Sequence, residues 1–162
     1  MWTPVWRWRP LVVALIISYA VAGLGGALTD LGPWYQALQQ PDWKPPDWAF
    51  GPIWTSIFTL AAISAAWAWQ RSEGAAQRRR VVLLFGVNAV LNVAWSALFF
   101  ALKRPDWAML EWGLLWLSVA SLVLGLWRIS RGAALLNVPY WVWVSIAGAL
   151  NQANVALNGP FH

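Results

Sequence analysis

The sequence predicts an all-α integral membrane protein, a bundle of five transmembrane helices whose Trp/Pro-rich first loop caps a cavity. Hydrophobic residues make up 60% of the 162-residue chain and charged residues 10%, whereas about a quarter of the residues of an ordinary soluble domain are charged. Five apolar segments each reach the roughly 20 residues that a helix needs to cross the hydrocarbon core. No stretch has the composition of a separate soluble domain, so residues 1–162 are interpreted as one membrane domain.

The five predicted spans follow one another with short connections, except for the loop after the first. Their approximate bounds are Pro10 to Thr29, Ala49 to Gln70, Val81 to Leu102, Trp107 to Trp127 and Ala133 to Leu157. Arg7 and Arg9 precede the first span in the charge order of a secretory signal peptide. Because this apolar run is longer than the roughly 7 to 15 residues typical of such a peptide, we interpret it as a retained span.

The first loop is dense in proline and aromatic residues. Proline fixes φ and lacks an N–H donor, so a loop with several prolines is stiff and does not become a regular helix or strand. The prolines are Pro41, Pro45, Pro46 and Pro52, and the indole and phenol rings are Trp34, Tyr35, Trp43, Trp48 and Trp54. A stiff segment that holds these rings at the edge of a hydrophobic region predicts a rigid aromatic cap over a binding cavity.

Polar residues within the third and fifth spans indicate which helix faces point into the bundle, because an unpaired amide in hydrocarbon costs several kcal/mol. In the third span, one face carries residues at i, i+4, i+7 and i+11, namely Asn88, Asn92, Trp95 and Phe99. In the fifth span, one stripe contains Tyr140, Trp143, Ala147, Asn151, Asn154 and Asn158.

Two interpretations of these stripes stay open. In one, Asn88, Asn154 and Asn158 join helices through interhelical hydrogen bonds. In the other, the stripes line a pocket beneath the Trp/Pro loop, and the clustering of large aromatic residues beside small ones favours this interpretation. The pocket residues would be Asn92, Trp95, Tyr140, Trp143, Ala147 and Asn151.

Basic residues are distributed unevenly between the two sides of the membrane. Eight of the eleven lie on the side that holds the N-terminus: Arg7, Arg9, Arg71, Arg78, Arg79, Arg80, Arg128 and Arg131. The positive-inside rule therefore predicts a cytoplasmic N-terminus in a bacterial cell membrane, with the Trp/Pro loop on the opposite face. The formal net charge of +5 does not indicate nucleic-acid binding, because no basic stripe lies on a soluble face.

The residue inventory excludes several enzyme classes. His162 is the single histidine, cysteine is absent, and no pair of carboxylates lies within the spans. Zinc hydrolysis, thiol catalysis and paired-carboxylate catalysis therefore lack their parts, and we predict no metal site. A haem iron would also lack a His or Cys axial ligand, which leaves Tyr35, Tyr140 and Met109 as candidates.

The loop, the third span and the fifth span together resemble the TspO/MBR family, the tryptophan-rich sensory and translocator proteins. The resemblance covers nearly the whole chain beyond the first span, with the motifs in the right order and at the right spacing. They are Trp34-Tyr35-x-x-Leu38, Pro41-x-Trp43-x-Pro45-Pro46, Phe50-x-Pro52-x-Trp54-Thr55, Asn88-x-x-x-Asn92-x-x-Trp95-x-x-x-Phe99-Phe100, Pro139-Tyr140-x-x-Trp143 and Leu150-Asn151.

The resemblance implies a five-helix bundle, usually a homodimer, whose first loop closes a cavity for porphyrins and other tetrapyrroles. In animal members the cavity also takes cholesterol and synthetic drugs. Here the implied ligand is protoporphyrin IX or haem, with no required cofactor, and the implied contacts are Tyr35, Trp54, Trp143 and Asn92. Trp43 of the loop is a further candidate contact. The cholesterol-type pattern needs a basic residue shortly after Tyr140, and no basic residue follows Arg131, so sterol binding is less favoured.

Three functions follow from these observations. The first is a receptor or translocator-like membrane protein that binds porphyrins or related flat hydrophobic ligands for sensing, sequestration or transport. The second is a light-dependent porphyrin-degrading enzyme with Tyr35, Trp54 and Trp143 as catalytic candidates, because family members have been proposed to degrade bound porphyrin in light. The third is an interaction or regulatory module in the membrane whose cavity is incidental. Nothing in the sequence requires turnover.

Overall fold

A computed structural model describes residues 7–162, which fold into a bundle of α-helices. Five helical segments are long and apolar enough to cross a membrane, which confirms the predicted fold class. The helices are α1 (Trp8–Leu28), α2 (Pro33–Ala37), α3 (Asp47–Arg71), α4 (Ala75–Ser96), α5 (Pro105–Leu126), α6 (Arg131–Leu135) and α7 (Val138–Asn158), and a π-helical segment (Ala97–Ala101) extends α4.

The helices extend beyond the predicted spans where the chain leaves the hydrocarbon. α4 begins at Ala75 rather than near Val81, so its first turns carry three arginines. Arginine is a good helix former and Gly74 supplies the extended residue that precedes the helix. A hydropathy pattern marks the apolar part of such a helix and misses its charged beginning.

The fifth span is two helices rather than one. α6 ends at Leu135 and α7 begins at Val138, with Pro139 in its first turn. Proline has no N–H to donate to the carbonyl four residues earlier, so an unbroken helix through this point would lose the hydrogen bond to Leu135. The span predicted as continuous from Ala133 is therefore interrupted near its start.

A buried polar junction holds this interruption against α3. The Asn137 side chain is fully buried and its Nδ2 donates to Ser64 Oγ (2.8 Å) and to the Ala133 carbonyl (3.0 Å). Ser64 Oγ donates in turn to the same carbonyl at 2.7 Å. These bonds satisfy backbone groups that the helix break leaves free, at the end of the bundle away from the Trp/Pro loop.

Consecutive spanning helices are packed neighbours. α1 packs on α3 and also touches α4, while α5 lies between α4 and α7. The main core joins Leu115, Val119 and Leu122 of α5 to Ile57 of α3 and Val144 of α7. α5 is therefore the central packing element, and α1 lies at the periphery of the bundle.

A hydrogen-bonded network crosses the bundle interior between α4, α5 and α7. Asn88 Nδ2 donates to Ser118 Oγ (2.9 Å), and Tyr140 Oη donates to Asn88 Oδ1 (3.2 Å). Asn92 Nδ2 donates to Tyr140 Oη at 2.9 Å. Asn88 therefore joins three helices, as its position on the stripe suggested.

Removing the hydroxyl of Tyr140 is expected to destabilise the protein. Tyr140→Phe leaves Asn88 Oδ1 and Asn92 Nδ2 without their partner, and a buried unsatisfied polar group costs about 1–3 kcal/mol. Tyr19→Phe is the matched control, because the Tyr19 hydroxyl bonds Thr59 at an exposed position (2.6 Å). Thermal unfolding in detergent should give a clearly lower midpoint for the Tyr140 variant; equal midpoints for the two variants would contradict the role of the network.

Candidate ligand-binding cavity

A cavity of about 430 Å³ lies beneath the first loop, between α1, α3, α4 and α7. Its volume falls within the roughly 300–1,000 Å³ of typical small-molecule sites. Side chains from the loop and from four spanning segments form its walls: Tyr19, Ala22, Gly25, Gly26, Thr29, Leu31, Tyr35, Asp47, Phe50, Gly51, Trp54, Thr55, Phe58, Asn92, Trp95, Ser96, Phe100, Trp143 and Ala147. Most of these walls are aromatic or small and apolar.

One wall is a run of aromatic residues on α3. The helix begins at Asp47, directly after Pro46 in extended conformation, and a carboxylate in the first turn is favourable to the helix dipole. From this start, Phe50, Trp54 and Phe58 follow at intervals of four residues and share one helix face. All three line the cavity.

Trp54 and Trp143 form an approximately perpendicular pair. Their ring centroids are 6.4 Å apart with an interplanar angle of 88°, and the Phe50 ring meets Trp143 edge-on at 5.5 Å. Trp54 also packs edge-on against Tyr140 at 6.1 Å. Edge-to-face packing fixes the orientations of the two indoles, and both residues line the cavity.

The loop closes one end of the cavity with a charged cluster. Tyr35 is buried on α2, and its hydroxyl donates to Asp47 Oδ1 at 3.4 Å. Lys44 Nζ donates to the same carboxylate oxygen and lies 5.8 Å from the ring centroids of both Tyr35 and Phe50. Burial raises the pKa of Tyr35 above its ordinary value, so the phenol stays neutral at physiological pH and remains a hydrogen-bond donor.

The π-helical segment after α4 builds the part of the cavity wall that lies next to the loop. A π turn is wider than an α turn and brings residues i and i+5 together. Trp95 and Phe100 therefore both line the cavity, with ring centroids 6.0 Å apart. Trp95 also stacks on the buried Phe99 at 5.1 Å, and Phe100 contacts Tyr35 at 5.9 Å. The end of α4 is thereby packed against the loop.

Comparison with known proteins assigns the chain to a family. The sequence model of the TspO/MBR family matches residues 10–156. The chain belongs to the TspO/MBR family. This confirms the resemblance drawn from the loop and from the third and fifth spans.

Curated relatives from bacteria and mammals align with this TspO/MBR chain over most of their length. Protein CrtK of Rhodobacter capsulatus is 36% identical over 152 residues, covering 91% of the chain and 92% of the relative. Tryptophan-rich protein TspO of Chlorobaculum tepidum is 35% identical over 156 residues, covering 91% and 96%. The translocator protein of Bos taurus is 31% identical over 148 residues, covering 89% and 87%.

Most of the predicted ligand contacts of this TspO/MBR protein lie together in the structure. The cavity lining includes six of them: Tyr35, Trp54, Asn92, Trp95, Trp143 and Ala147. Asn92 donates its amide hydrogen to Tyr140, which leaves Asn92 Oδ1 as an acceptor at the cavity wall. Contact of these side chains with a ligand stays a prediction.

Three predicted contacts lie outside the cavity lining. Trp43 is on the outside of the loop with 53% of its surface exposed. Tyr140 is buried behind Trp54, and its hydroxyl is engaged by Asn88 and Asn92. The stripe on α7 is longer than the cavity, so its residues meet different neighbours at different depths in the bundle.

Asn151 belongs to the part of this stripe that faces α5. In the amide orientation that satisfies both groups, it donates to the Pro105 carbonyl (3.0 Å) and accepts from the Met109 N–H (3.2 Å). It therefore joins α7 to the backbone at the start of α5. Its position on a polar stripe did not distinguish this role from ligand contact.

The other two asparagines of the α7 stripe have different partners. Asn158 Nδ2 donates to the Gln39 carbonyl (2.9 Å) and Asn158 Oδ1 accepts from the Gln39 N–H (2.7 Å). Asn158 thus ties the first loop to the end of α7. Asn154 Nδ2 donates to the Leu150 carbonyl of its own helix at 3.1 Å. This hydrogen bond lies within α7 and does not join two helices.

The wall contributed by α1 was absent from the sequence prediction. Tyr19, Ala22, Gly25 and Gly26 line the cavity, and a Cβ built on Gly25 would lie 3.6 Å from Ser96 Oγ. The absence of a side chain at Gly25 leaves space between α1 and α4 that belongs to the cavity. The signal in the sequence was the run of small residues at this depth of the first span.

The candidate haem ligands are not grouped at the cavity. Tyr35 lines it, whereas Tyr140 and Met109 lie outside its lining. Within residues 7–162, no group of three or more His, Cys, Asp or Glu side chains is placed to hold a metal ion.

Proposed function

We propose that this TspO/MBR protein is a receptor or translocator-like membrane protein that binds porphyrins or related flat hydrophobic ligands in the cavity beneath the first loop. The observation that carries the proposal is the perpendicular pair of Trp54 and Trp143, both of which line a cavity of about 430 Å³. A planar macrocycle that stacks on one indole meets the other edge-on, and both geometries are favourable for aromatic rings.

The polar groups of the cavity support the same ligand class. Asn92 Oδ1 and the Tyr35–Lys44–Asp47 cluster lie at its edge, while the α3 wall is aromatic. A ligand with an apolar body and a polar rim satisfies both kinds of surface, because polar groups left unpaired on burial cost free energy. The arrangement suits an amphipathic planar molecule better than a purely aliphatic one.

The binding proposal is tested by titrating the purified protein with protoporphyrin IX in the dark and following tryptophan fluorescence. Saturable quenching is expected, and metal-free porphyrin should bind as well as haem, because recognition uses ring faces rather than an iron ligand. Quenching that rises linearly with porphyrin concentration, as it does with free tryptophan in the same detergent, would reject the proposal.

Light-dependent degradation of the bound porphyrin is a second candidate. It is favoured by the placement of two oxidisable indoles, Trp54 and Trp143, on adjoining walls of one cavity. Repeating the titration under illumination should convert porphyrin to a new absorbing product in the wild type and not in Trp54→Phe. Equal bleaching by the two proteins would exclude the enzyme and leave the binding function intact.

The orientation of the bundle also belongs to the proposal. The distribution of basic residues supports a cytoplasmic location for the N-terminus and the segment around Gly74, with the Trp/Pro loop and the C-terminus on the opposite side. Alkaline phosphatase fused after residue 162 should be active, and the same enzyme fused at residue 75 should be inactive. The reverse pattern of activities would invert the orientation.

A further inference from the structure

A second, smaller cavity adjoins the main one. It measures about 50 Å³ and shares five wall residues with the main cavity: Tyr35, Phe50, Trp95, Phe100 and Ala147. Gln40 and Lys44 of the loop and Asn154 of α7 are among the residues that complete its lining. We name this space the annex. It lies at the loop end of the bundle, separated from the main cavity by aromatic rings.

The annex contains polar groups that the protein itself does not satisfy. Gln40 Nε2 and Asn154 Oδ1 are buried and have no hydrogen-bond partner within the described part of the chain, residues 7–162. Asn154 is 4% exposed. A buried unpaired polar group costs about 1–3 kcal/mol, so such groups normally have a partner outside the chain. The annex volume of about 50 Å³ is several times the roughly 10–15 Å³ that a cavity needs to hold one water molecule.

Lys44 is the charged side chain of the annex lining, and it is ion-paired with Asp47. Lys44 lines the annex, whereas Asp47, its ion-pair partner, lines the main cavity. The ammonium group of lysine has three N–H donors, and one of them is engaged by Asp47 Oδ1. The Lys44 side chain is 15% exposed, so its remaining donors are screened from bulk water and are available to a group that enters the annex.

We propose that the annex binds the carboxylate of an amphipathic ligand whose flat apolar body occupies the main cavity. Lys44 Nζ and Gln40 Nε2 donate to the two carboxylate oxygens. A water held between the carboxylate and Asn154 Oδ1 donates one hydrogen to each of them. This inference rests on the proposed porphyrin-binding function and deepens it, because it distinguishes porphyrins that bear free carboxylates from their esters.

The annex is tested by comparing protoporphyrin IX, a dicarboxylic acid, with its dimethyl ester in dark titrations. The wild type should bind the acid about tenfold more tightly than the ester, because hydrogen bonds to a charged group are stronger than those to a neutral one. Lys44→Met combined with Asp47→Asn removes the ammonium group without leaving an unpaired carboxylate. This variant should lose the preference for the acid and bind the two ligands with similar affinity.

One further variant and one control extend the comparison of acid and ester. Gln40→Met removes one donor without touching the ion pair and should lower the acid-to-ester preference about threefold. Lys103→Met is the control, because Lys103 is exposed and lies outside the lining of both cavities. Each variant is compared with the wild type for both ligands, so unequal partitioning of acid and ester into detergent cancels.

The outcomes distinguish failure of the carboxylate-site proposal from failure of the proposed function. If neither ligand binds the wild type, the proposed function fails and the annex inference fails with it. If both ligands bind the wild type equally, the function stands and the carboxylate site is overturned. A preference for the acid that survives in both the Lys44/Asp47 variant and Gln40→Met also overturns it.

Discussion

Replacing both Trp54 and Trp143 with alanine is expected to weaken protoporphyrin IX binding at least 30-fold. An aromatic contact contributes about 0.5–1.5 kcal/mol beyond its area burial, and each truncation also removes apolar surface that a ligand would cover. The two losses together come to about 2–4 kcal/mol, and about 1.4 kcal/mol changes an affinity tenfold. Dark titration with porphyrin absorbance or fluorescence as the readout measures the effect without relying on the protein's own indoles.

The matched control removes two indoles that do not line the cavity. Trp8 and Trp48 are 64% and 76% exposed, and replacing both with alanine should leave the affinity within about twofold of the wild type, because neither ring is in the cavity lining. Circular dichroism and gel filtration establish that both double variants are folded. Equal dissociation constants for the two double variants would place the ligand elsewhere.

Gly148→Ala is expected to produce the largest loss of stability. A Cβ built on Gly148 would lie within 2.1 Å of Trp112 Cε2 and 2.4 Å of Trp112 Nε1, which is far closer than carbon atoms pack. The Trp112 indole must then move and release its hydrogen bond to the Val144 carbonyl (2.8 Å). Overpacking costs about 1–3 kcal/mol and the lost bond about 1 kcal/mol more, so a decrease of about 3 kcal/mol is expected.

Gly86→Ala provides the same substitution without the clash. Gly86 lies within α4 on an exposed face, and nothing lies within 4 Å of its added Cβ. Alanine is about 0.5–1 kcal/mol more favourable than glycine inside a helix, so this variant should be as stable as the wild type or slightly more so. Thermal or denaturant unfolding in detergent ranks the three proteins. A Gly148 variant as stable as the Gly86 variant would contradict the close contact between α5 and α7.

The spanning helices and much of the cavity were predictable because both depend on the pattern of apolar and polar residues along one helix. Asn92, Trp95 and Trp143 are recognisable in such a pattern, because polar groups within an apolar span face the bundle interior or a cavity. The prolines of the loop were equally visible, because proline acts on its own backbone. The expectation that this segment forms no regular helix was wrong in part, since Trp34 and Tyr35 lie in α2 and Pro52 and Trp54 lie in α3. These features depend on local chemistry.

The features that were missed depend on contacts between distant segments. The π-helical segment that aims Phe100 at the cavity has no distinct signature in Ala97–Ala101. Asn151 and Asn92 look alike on their helices, and only the neighbouring helices decide that Asn151 meets the backbone of α5 and the smaller cavity while Asn92 borders the main one. The α1 wall was missed because Gly25 contributes open space between α1 and α4 rather than a side chain that a sequence pattern would mark.

Gly25 offers the most direct test of the central claim, that the ligand occupies the cavity beneath the loop. A Cβ at Gly25 meets Ser96 Oγ at 3.6 Å and Asn92 Oδ1 at 4.0 Å, which are ordinary contacts, so Gly25→Leu should fold and extend its side chain between two residues of the cavity wall. Gly23→Leu adds the same side chain to α1 two residues away, at an exposed position with nothing within 4 Å of its Cβ.

The decisive measurement is the dark protoporphyrin IX titration of these two variants, each first shown to unfold cooperatively. At least a tenfold loss of affinity is expected in Gly25→Leu, because the added side chain occupies space that the ligand needs. Gly23→Leu should bind with wild-type affinity. Wild-type affinity in a folded Gly25→Leu protein would contradict binding in the cavity beneath the loop and place the porphyrin outside it.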